Sequence, residues 1–438
     1  MKGIYRGVHP LVLFGMLVFP LRVIAEENVS SFISDSHLKL TLKNVWMYLD
    51  SERDDNIGTQ SAWAQGLHLD YASGYYHDAL GFDASWYGVM KLYANKYFYG
   101  RNMLRDNNGQ AEGFNKLGQY YAKARWENNR GYLHLYGGWK QLYKFGVISV
   151  TRSRAAPSSW QGVSAEAGLD SWRVRGALVN RFSDRNGPDL LRPTSLVRHQ
   201  GIPYIITGDL RWQTAKGKAL RYAVGESKDY LLRQTLDGNW QWSLSGQRQA
   251  SLQAGAYHNR GLKRWEGVRY FTREAFHYYA LLGYQLGQAG VGIGWSSTRA
   301  SLEHGLGQFY WHMGSHTRGF VTSPVDGVAQ KYNHDGEKMW YAYADYRFTP
   351  SLKAGLYGNY GSHTRYRSVA LNEYEFGAYT SWKSEQIRGL SMFLGAGPSF
   401  TWKQDRAKKP KLTADGKNFY RANGFGSALR FEYQIPLF

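Results

Sequence analysis

Segments of about ten residues, in which apolar and polar side chains take turns, recur along almost the whole 438-residue chain and restrict its fold more than anything else does. From Ala79 to Tyr93, Leu80, Phe82, Ala84, Trp86, Met90 and Leu92 make one set, and Gly81, Asp83, Ser85, Tyr87 and Lys91 the other. A helix would mix these sets, whereas a strand holds them on opposite faces. Trp172–Phe182 sets Trp172, Val174, Leu178 and Phe182 against Arg173, Arg175 and Arg181, and Glu373–Lys383 repeats the arrangement. The pattern parses into about eighteen strands, from 37–48 through 217–226, 239–247 and 251–258 to 424–437.

The connections carry independent information. Tight links at Ala72–Asp78, Glu127–Arg130, Asp170-Ser171, Thr214–Lys216, Arg248–Ala250, Gly287–Ala289, Pro350 and Glu385–Ile387 are expected to alternate strictly with long ones. The long ones include Ala94–Leu117, Ser183–Ile202, Arg299–Lys338 and Lys403–Gly424. Short turns on one rim and long loops on the other are the asymmetry of an outer-membrane barrel, and a sandwich or propeller has no reason to obey it. The expected fold is therefore all-β, a transmembrane antiparallel barrel with long extracellular loops and short periplasmic turns. Phe438, the terminal aromatic, falls out of phase with Leu429, Phe431, Tyr433, Ile435 and Leu437, which Pro436 could correct by a bend.

The N-terminus fits this destination. Lys2 and Arg6 precede an apolar run at Leu11–Phe19, and Val23-Ile24-Ala25 offers a small-residue cleavage site. That is the layout of a secretory signal over 1–25, and the apolar run is too short to span a bilayer. Residues 26–438 are then one barrel domain. Tyr is the commonest of many aromatics, as suits the boundary between lipid and water. Cysteine is absent, so backbone closure must supply the rigidity.

The formal charge is +20. The signal carries Lys2, Arg6 and Arg22 and no acid, leaving about +17 on the mature chain. Such a surplus implies anionic partners, and strand phase indicates where it lies. Lys123, Arg125, Arg173, Arg175, Arg181, Arg211, Arg221, Arg347, Lys353, Lys383 and Arg430 all read as inward-facing. A cation turned to lipid would cost roughly 2–4 kcal/mol at mid-membrane, which favours the lumen. A carboxylate could pass along such a stripe from one planar guanidinium to the next. The plainer alternative is that Asp70, Asp83, Glu166, Asp209, Asp345, Glu373, Glu375 and Glu432 neutralise these charges.

Several stretches also resemble a known family. Gln60-Ser-Ala-Trp-Ala-Gln-Gly66, Leu69-Asp-Tyr-Ala-Ser-Gly-Tyr75 and Leu80-Gly-Phe-Asp-Ala84 are similar to the opening of the OprD family of outer-membrane specific porins. Ser153-Arg-Ala-Ala-Pro157, Gln161-Gly162, Arg181-Phe-Ser-Asp-Arg-Asn186 and Ile387-Arg-Gly-Leu-Ser-Met392 follow in the family's order. The resemblance implies eighteen strands, a row of basic wall residues and selective uptake of small molecules, often carboxylates. It also implies a lumen narrowed by inward-folded third and seventh loops, here about Tyr143–Ser159 and Arg299–Lys338. On the third loop, Arg152 and Arg154, with Tyr143 and Trp160 nearby, are the candidates for the constriction.

The expected function is passive diffusion of small anionic solutes, such as carboxylates or acidic sugars, through the outer membrane of a Gram-negative bacterium. The expected partners are the solute, membrane lipid and lipopolysaccharide, the last touched by the basic loop Arg406–Lys411. Nucleic acid is not among them, and a monomer or weak trimer is expected. One alternative is a porin for chitooligosaccharides or other neutral oligosaccharides, its rings supplied by inward-reading Tyr257, Tyr279, Tyr341 and Tyr357. A barrel hydrolase has less support, because Ser315-His316 and Ser362-His363 lack an ordered third member. No cofactor or metal is expected, since the histidines at 312, 316 and 334 share a loop without a carboxylate at metal spacing.

Overall fold

The computed structural model describes residues 29–53, 58–95, 102–405 and 407–438; the signal at 1–25 and Arg406 lie outside them. A short helix, α1 (Val29–Ser34), leads into the barrel. Its first strands are β1 (His37–Ser51), β2 (Gln60–Ala72), β3 (Leu80–Ala94), β4 (Phe114–Glu127), β5 (Gly131–Lys140) and β6 (Ser159–Leu169). Then come β7 (Trp172–Ser183), β8 (Ile205–Gln213), β9 (Ala219–Ser227), β10 (Leu231–Ser243), β11 (Arg248–Gly261) and β12 (Glu274–Leu286). The last are β13 (Ala289–Arg299), β14 (Lys338–Arg347), β15 (Leu352–Tyr366), β16 (Val369–Lys383), β17 (Leu390–Trp402) and β18 (Arg421–Pro436). Each strand pairs antiparallel with its neighbours in sequence. β18 pairs with β1 from Pro436↔Lys39 to Gly424↔Ser51 and closes the ring. A two-residue strand, Leu190–Leu191, extends the sheet beside β7, and a small hairpin (105–107 with 110–112) sits in the loop after β3.

The alternation places apolar side chains outside. Leu80, Phe82, Val163, Val174, Leu178, Ile206, Leu236, Leu282, Ile293, Leu356 and Phe376 all lie exposed on the outer wall. In water such a belt would forfeit roughly 25 cal/mol per Å² of apolar surface; against acyl chains it does not. A closed ring also leaves no strand edge in lipid, so the backbone N–H and C=O groups pair within the wall.

Some boundaries differ from expectation. β10 covers 231–243 and β11 covers 248–261, so the tight turn is 244–247 rather than 248–250. The start of β10 was hidden because Leu231 and Arg233 face inward and are wholly buried, while Gln234 faces out. Short and long connections do not alternate strictly either. On the long-loop rim, 228–230 and 367–368 are as tight as the turns opposite. At the C-terminus, β18 ends at Pro436 and pairing with Leu38 continues through Leu437 N–H and Phe438 C=O.

The interior is not an open tube. Loop 3 (141–158) and loop 7 (300–337) fold inside and pack with Trp160, Phe182, Tyr257 and Tyr279 of the wall. Phe309, Tyr310, Trp311, Met313, Val325 and Tyr332 of loop 7 are nearly inaccessible in this cluster. Part of the barrel is thus filled by a conventional hydrophobic core.

Candidate functional site at the loop 3 and loop 7 constriction

Loop 3 is pinned to the wall by polar groups that satisfy its backbone. Gly146 N–H donates to Asp209 Oδ2 at 2.6 Å, and Val147 N–H to Thr207 Oγ1 at 2.9 Å. Arg221 Nη1 donates to the Gly146 carbonyl at 2.9 Å, and Arg175 Nη2 to the Lys144 carbonyl at 2.6 Å. Gly146 holds φ +53°, a left-handed conformation that glycine takes without strain. On the other side, Lys43 Nζ donates to the Arg152 carbonyl, and His68 Nε2 lies 2.6 Å from the Ala155 carbonyl. Gly66 allows that approach, because a Cβ there would collide with the Ala155 carbonyl.

Loop 7 meets loop 3 inside the barrel. Ser149 N–H donates to the Arg318 carbonyl, and Phe320 N–H to the Val147 carbonyl, each at 2.9 Å. Buried Arg233 holds loop 7 from β10, donating to the carbonyls of Tyr310, Trp311 (2.7 Å) and His312 (3.1 Å). Glu375 accepts the backbone N–H groups of Val328, Ala329 and Gln330 at 2.6–3.0 Å. Within the loop, burial pushes His312 well below the ordinary histidine range, and burial also lowers His316.

Between the two loops and the wall made by β1 and β16 to β18 lies a cavity of about 500 Å³. Lys43, Lys144, Arg152, Arg318, Lys383 and Arg430 line it, and Glu432 is the single carboxylate among its lining residues. Lys43 pairs with Glu432 at 2.9 Å. Arg152 stacks over Tyr143 at 4.2 Å and donates from Nε to Gln141 at 3.0 Å. Arg430 lies over Phe393 at 4.4 Å. A second cavity of about 530 Å³, more evenly charged, shares Lys43, Arg152 and Glu432 with the first. Six basic groups facing one acid create a locally positive passage, able to hold a carboxylate by charge-assisted hydrogen bonds.

The structure brings Arg152, Tyr143, Lys383 and Arg430 together here. Others hold structure. Arg175 pairs with Asp209 at 2.8 Å, and Arg221 Nε donates to Asp237 at 3.0 Å. Lys123 pairs with Asp83 at 2.7 Å, and Lys353 with Asp345 at 2.9 Å. Arg125 covers the Tyr75 ring at 4.0 Å and donates to the Asp78 carbonyl, fixing the β2–β3 turn. Arg173 and Arg211 face each other across β7 and β8 and line a cavity of about 730 Å³ at the short turns. Arg347 is exposed at the same rim, and Arg154 Nη1 donates to Ser153 on loop 3.

Two expectations are corrected. A bulge opposite Gln161/Gly162 interrupts β7 after Val179. Phe182, 1% exposed, therefore enters the interior cluster beside Trp160, and Arg181, one residue away, turns to the outer face. His334 does have carboxylate neighbours: its Nδ1 lies 3.3 Å from Glu337 Oε2 and 3.1 Å from Glu373 Oε1. Glu337 stands three residues away in sequence, a spacing that was visible; Glu373 comes from β16 and was not.

Sequence reasoning missed Lys43, Lys144 and Arg318. Lys43 obeys the alternation of β1, but Val45 and Met47 share its inward face and disguise it. Lys144 and Arg318 sit on loops, where periodicity carries no information.

Comparison with known proteins agrees with this architecture. The family model for outer membrane porin, OprD family, matches residues 30–389. OccAB1 of Acinetobacter baumannii superposes with a TM-score of 0.76 at 15% identity, covering 94% of this chain and 100% of that one. OccK9 (OpdG) of Pseudomonas aeruginosa gives 0.75 at 17% identity, covering 93% and 100%. OpdK of Pseudomonas aeruginosa, solved with vanillate, gives 0.71 at 15% identity, covering 92% and 100%. No curated protein sequence matches the chain. With the family's model spanning most of its length, and with the same closed eighteen-stranded wall, the chain belongs to the OprD family of outer-membrane porins.

Proposed function

We propose that this porin passes small anionic solutes, carboxylates foremost, and that the loop 3–loop 7 cavity selects them. The observation that carries the reading is its lining of Lys43, Lys144, Arg152, Arg318, Lys383 and Arg430 against Glu432 alone. Lys43 is tied to Glu432, but Lys144, Arg152 and Arg430 share their charge with aromatic rings, so a passing carboxylate gains hydrogen bonds from them without displacing a strong internal pair. Several such positions in one passage favour entry without a single deep trap. Tyr143, Phe320 and Phe393 stand among the cations and suit a planar acid. The vanillate in the OpdK structure, a carboxylate on an aromatic ring, is of the same chemical kind.

The oligosaccharide alternative keeps half-buried Tyr341 and Tyr357 but has two of its four rings covered. Tyr257 and Tyr279 are 1% and 3% exposed, packed beneath loop 7 with their hydroxyls at Thr322, and so present no face to a sugar. A hydrolase gains nothing: Ser362 Oγ lies 2.8 Å from His363 Nδ1 in an exposed pair, and among the described residues no carboxylate orients that ring.

The test is a planar-bilayer recording of the purified full-length protein in a KCl gradient. Chloride should be preferred over potassium, and a monocarboxylate such as benzoate should interrupt the current. Arg152→Gln combined with Arg318→Gln should lower the anion preference severalfold. Cation preference in the unaltered protein, or block by micromolar neutral chitooligosaccharide with no response to benzoate, would overturn the proposal.

A further inference from the structure

The carboxyl-terminal base of loop 7 holds a group of side chains that permeation does not use. His334 and Glu337 belong to the loop, and Glu373 stands on β16 behind them. All three are buried, Glu373 completely. We propose that His334, Glu337 and Glu373 bind one divalent transition-metal cation, of the Zn²⁺ type, which fastens loop 7 to the barrel wall.

The spacing fits a shared ion. His334 Nδ1 is 3.3 Å from Glu337 Oε2 and 3.1 Å from Glu373 Oε1. Donors bound to one such ion at about 2.0–2.2 Å stand roughly 3–3.6 Å apart. The group also lacks the contacts it would need without one. Glu373 Oε1, in a side chain with no exposed surface, points at the cluster and has only His334 Nδ1, at 3.1 Å, beside it. Glu337 Oε1 is without a hydrogen-bond partner. Buried carboxylates lacking donors are costly, and the cost is relieved by a cation.

Charge allows the same conclusion. Arg53 is a neighbouring cation, yet its Nη1 is 3.8 Å from Glu373 and is already donated to Gln330 at 2.7 Å. Its Nη2 lies 3.5 Å from His334 Nε2, a long contact. One arginine against two carboxylates leaves one charge to be met, by a proton on His334, whose pKa, despite burial, the two carboxylates push up to about 9, or by a bound cation that takes that proton's place. The ligands are meanwhile held in place: Thr401 Oγ1 donates to the far oxygen of Glu373, Oε2, at 2.8 Å, and the His334 backbone N–H steadies Glu337 Oε2 at 2.8 Å. The Trp402 ring packs against the imidazole at 5.0 Å and excludes water. Outer contacts of this kind orient metal ligands. One imidazole with two carboxylates favours a borderline ion over calcium, which takes six to eight oxygens.

The experiment uses full-length protein in detergent, stripped with chelator and titrated with Co²⁺ as a spectroscopic probe. One equivalent should bind, give visible d–d absorption and be displaced by Zn²⁺. His334→Gln and Glu373→Gln should each weaken binding at least tenfold, while His316→Ala should leave it unchanged. Retention of the compact, heat-modifiable form on unboiled gels will show that each variant is a folded barrel. Absence of stoichiometric Co²⁺ binding by the unaltered protein overturns the proposal and leaves a protonated His334 as the counter-charge. Binding that survives both His334→Gln and Glu373→Gln overturns it as well. Neither result depends on which solutes the pore admits.

Discussion

At the lumen wall, the work of an arginine is decided by what stands one strand away. Arg175 and Arg221 point inward, yet register places Asp209 directly across from Arg175 and Asp237 directly across from Arg221. Both guanidinium groups also hold loop 3 carbonyls. Arg175→Gln should therefore behave as a structural lesion. Asp209, with no exposed surface, would keep its charge and lose its partner, at a cost of roughly 3–5 kcal/mol. We expect a larger, noisier conductance and a lower unfolding temperature, with anion preference retained. Lys383→Gln should do the reverse, lowering the anion preference while conductance and stability stay near their original values. Bilayer recording with thermal unfolding of the two variants checks the contrast, and equal effects on both properties would defeat it. The face of each residue was legible in the alternation, but the partner was not. Pairing depends on register, and a shift of one residue would have set Arg175 opposite a different side chain. Arg181 shows the same limit from another direction, since one bulged residue reversed its face without changing the apparent pattern.

At the scale of elements, strands and loops were legible to different degrees for one physical reason. A strand between lipid and water repeats its environment every two residues, so the sequence must repeat too. Loops 3 and 7 have no such period, and their mutual contact arises from chain segments far apart in sequence, such as Ser149 N–H to the Arg318 carbonyl. Where loop 7 covers the wall, the inner face becomes apolar or fully hydrogen-bonded, as at Leu231 and Arg233, and the strand beneath loses its signature. Glu375 offers a test of how firmly loop 7 is held. Its carboxylate gathers three backbone N–H groups and the Tyr357 hydroxyl, the last at 2.6 Å. Hydrogen bonds to a charged acceptor contribute about 1.5–3 kcal/mol each. Glu375→Gln removes the charge but keeps the shape, so amide exchange at 328–330 should quicken at least tenfold. Mass spectrometry after deuterium labelling reads this directly; unchanged exchange would mean that the Arg233 contacts alone hold the loop.

For the whole molecule, the question is whether the basic surplus acts as a field or through a few contacts. The cations around the passage lie on two loops and three strands of one wall, and the outer rim adds exposed Lys408 and Lys411. Screening separates the alternatives. The Debye length is about 10 Å at 0.1 M salt and about 3 Å at 1 M. The first spans a narrow lumen, and the second is shorter than the spacing between most of its charges. If the field selects, the preference for chloride over potassium should be strong at 0.1 M and fall severalfold by 1 M. Conductance should then rise less than in proportion to salt, because the wall already concentrates anions when the bath is dilute. If instead a few guanidinium groups select by contact, preference should persist at 1 M and fall only when those groups are replaced. Reversal potentials and single-channel conductance across that salt range decide between the two. We expect the field-like result, with a remainder at high salt from Arg152 and Arg318, since both line the cavity where the two inward loops meet and can donate directly to an anion.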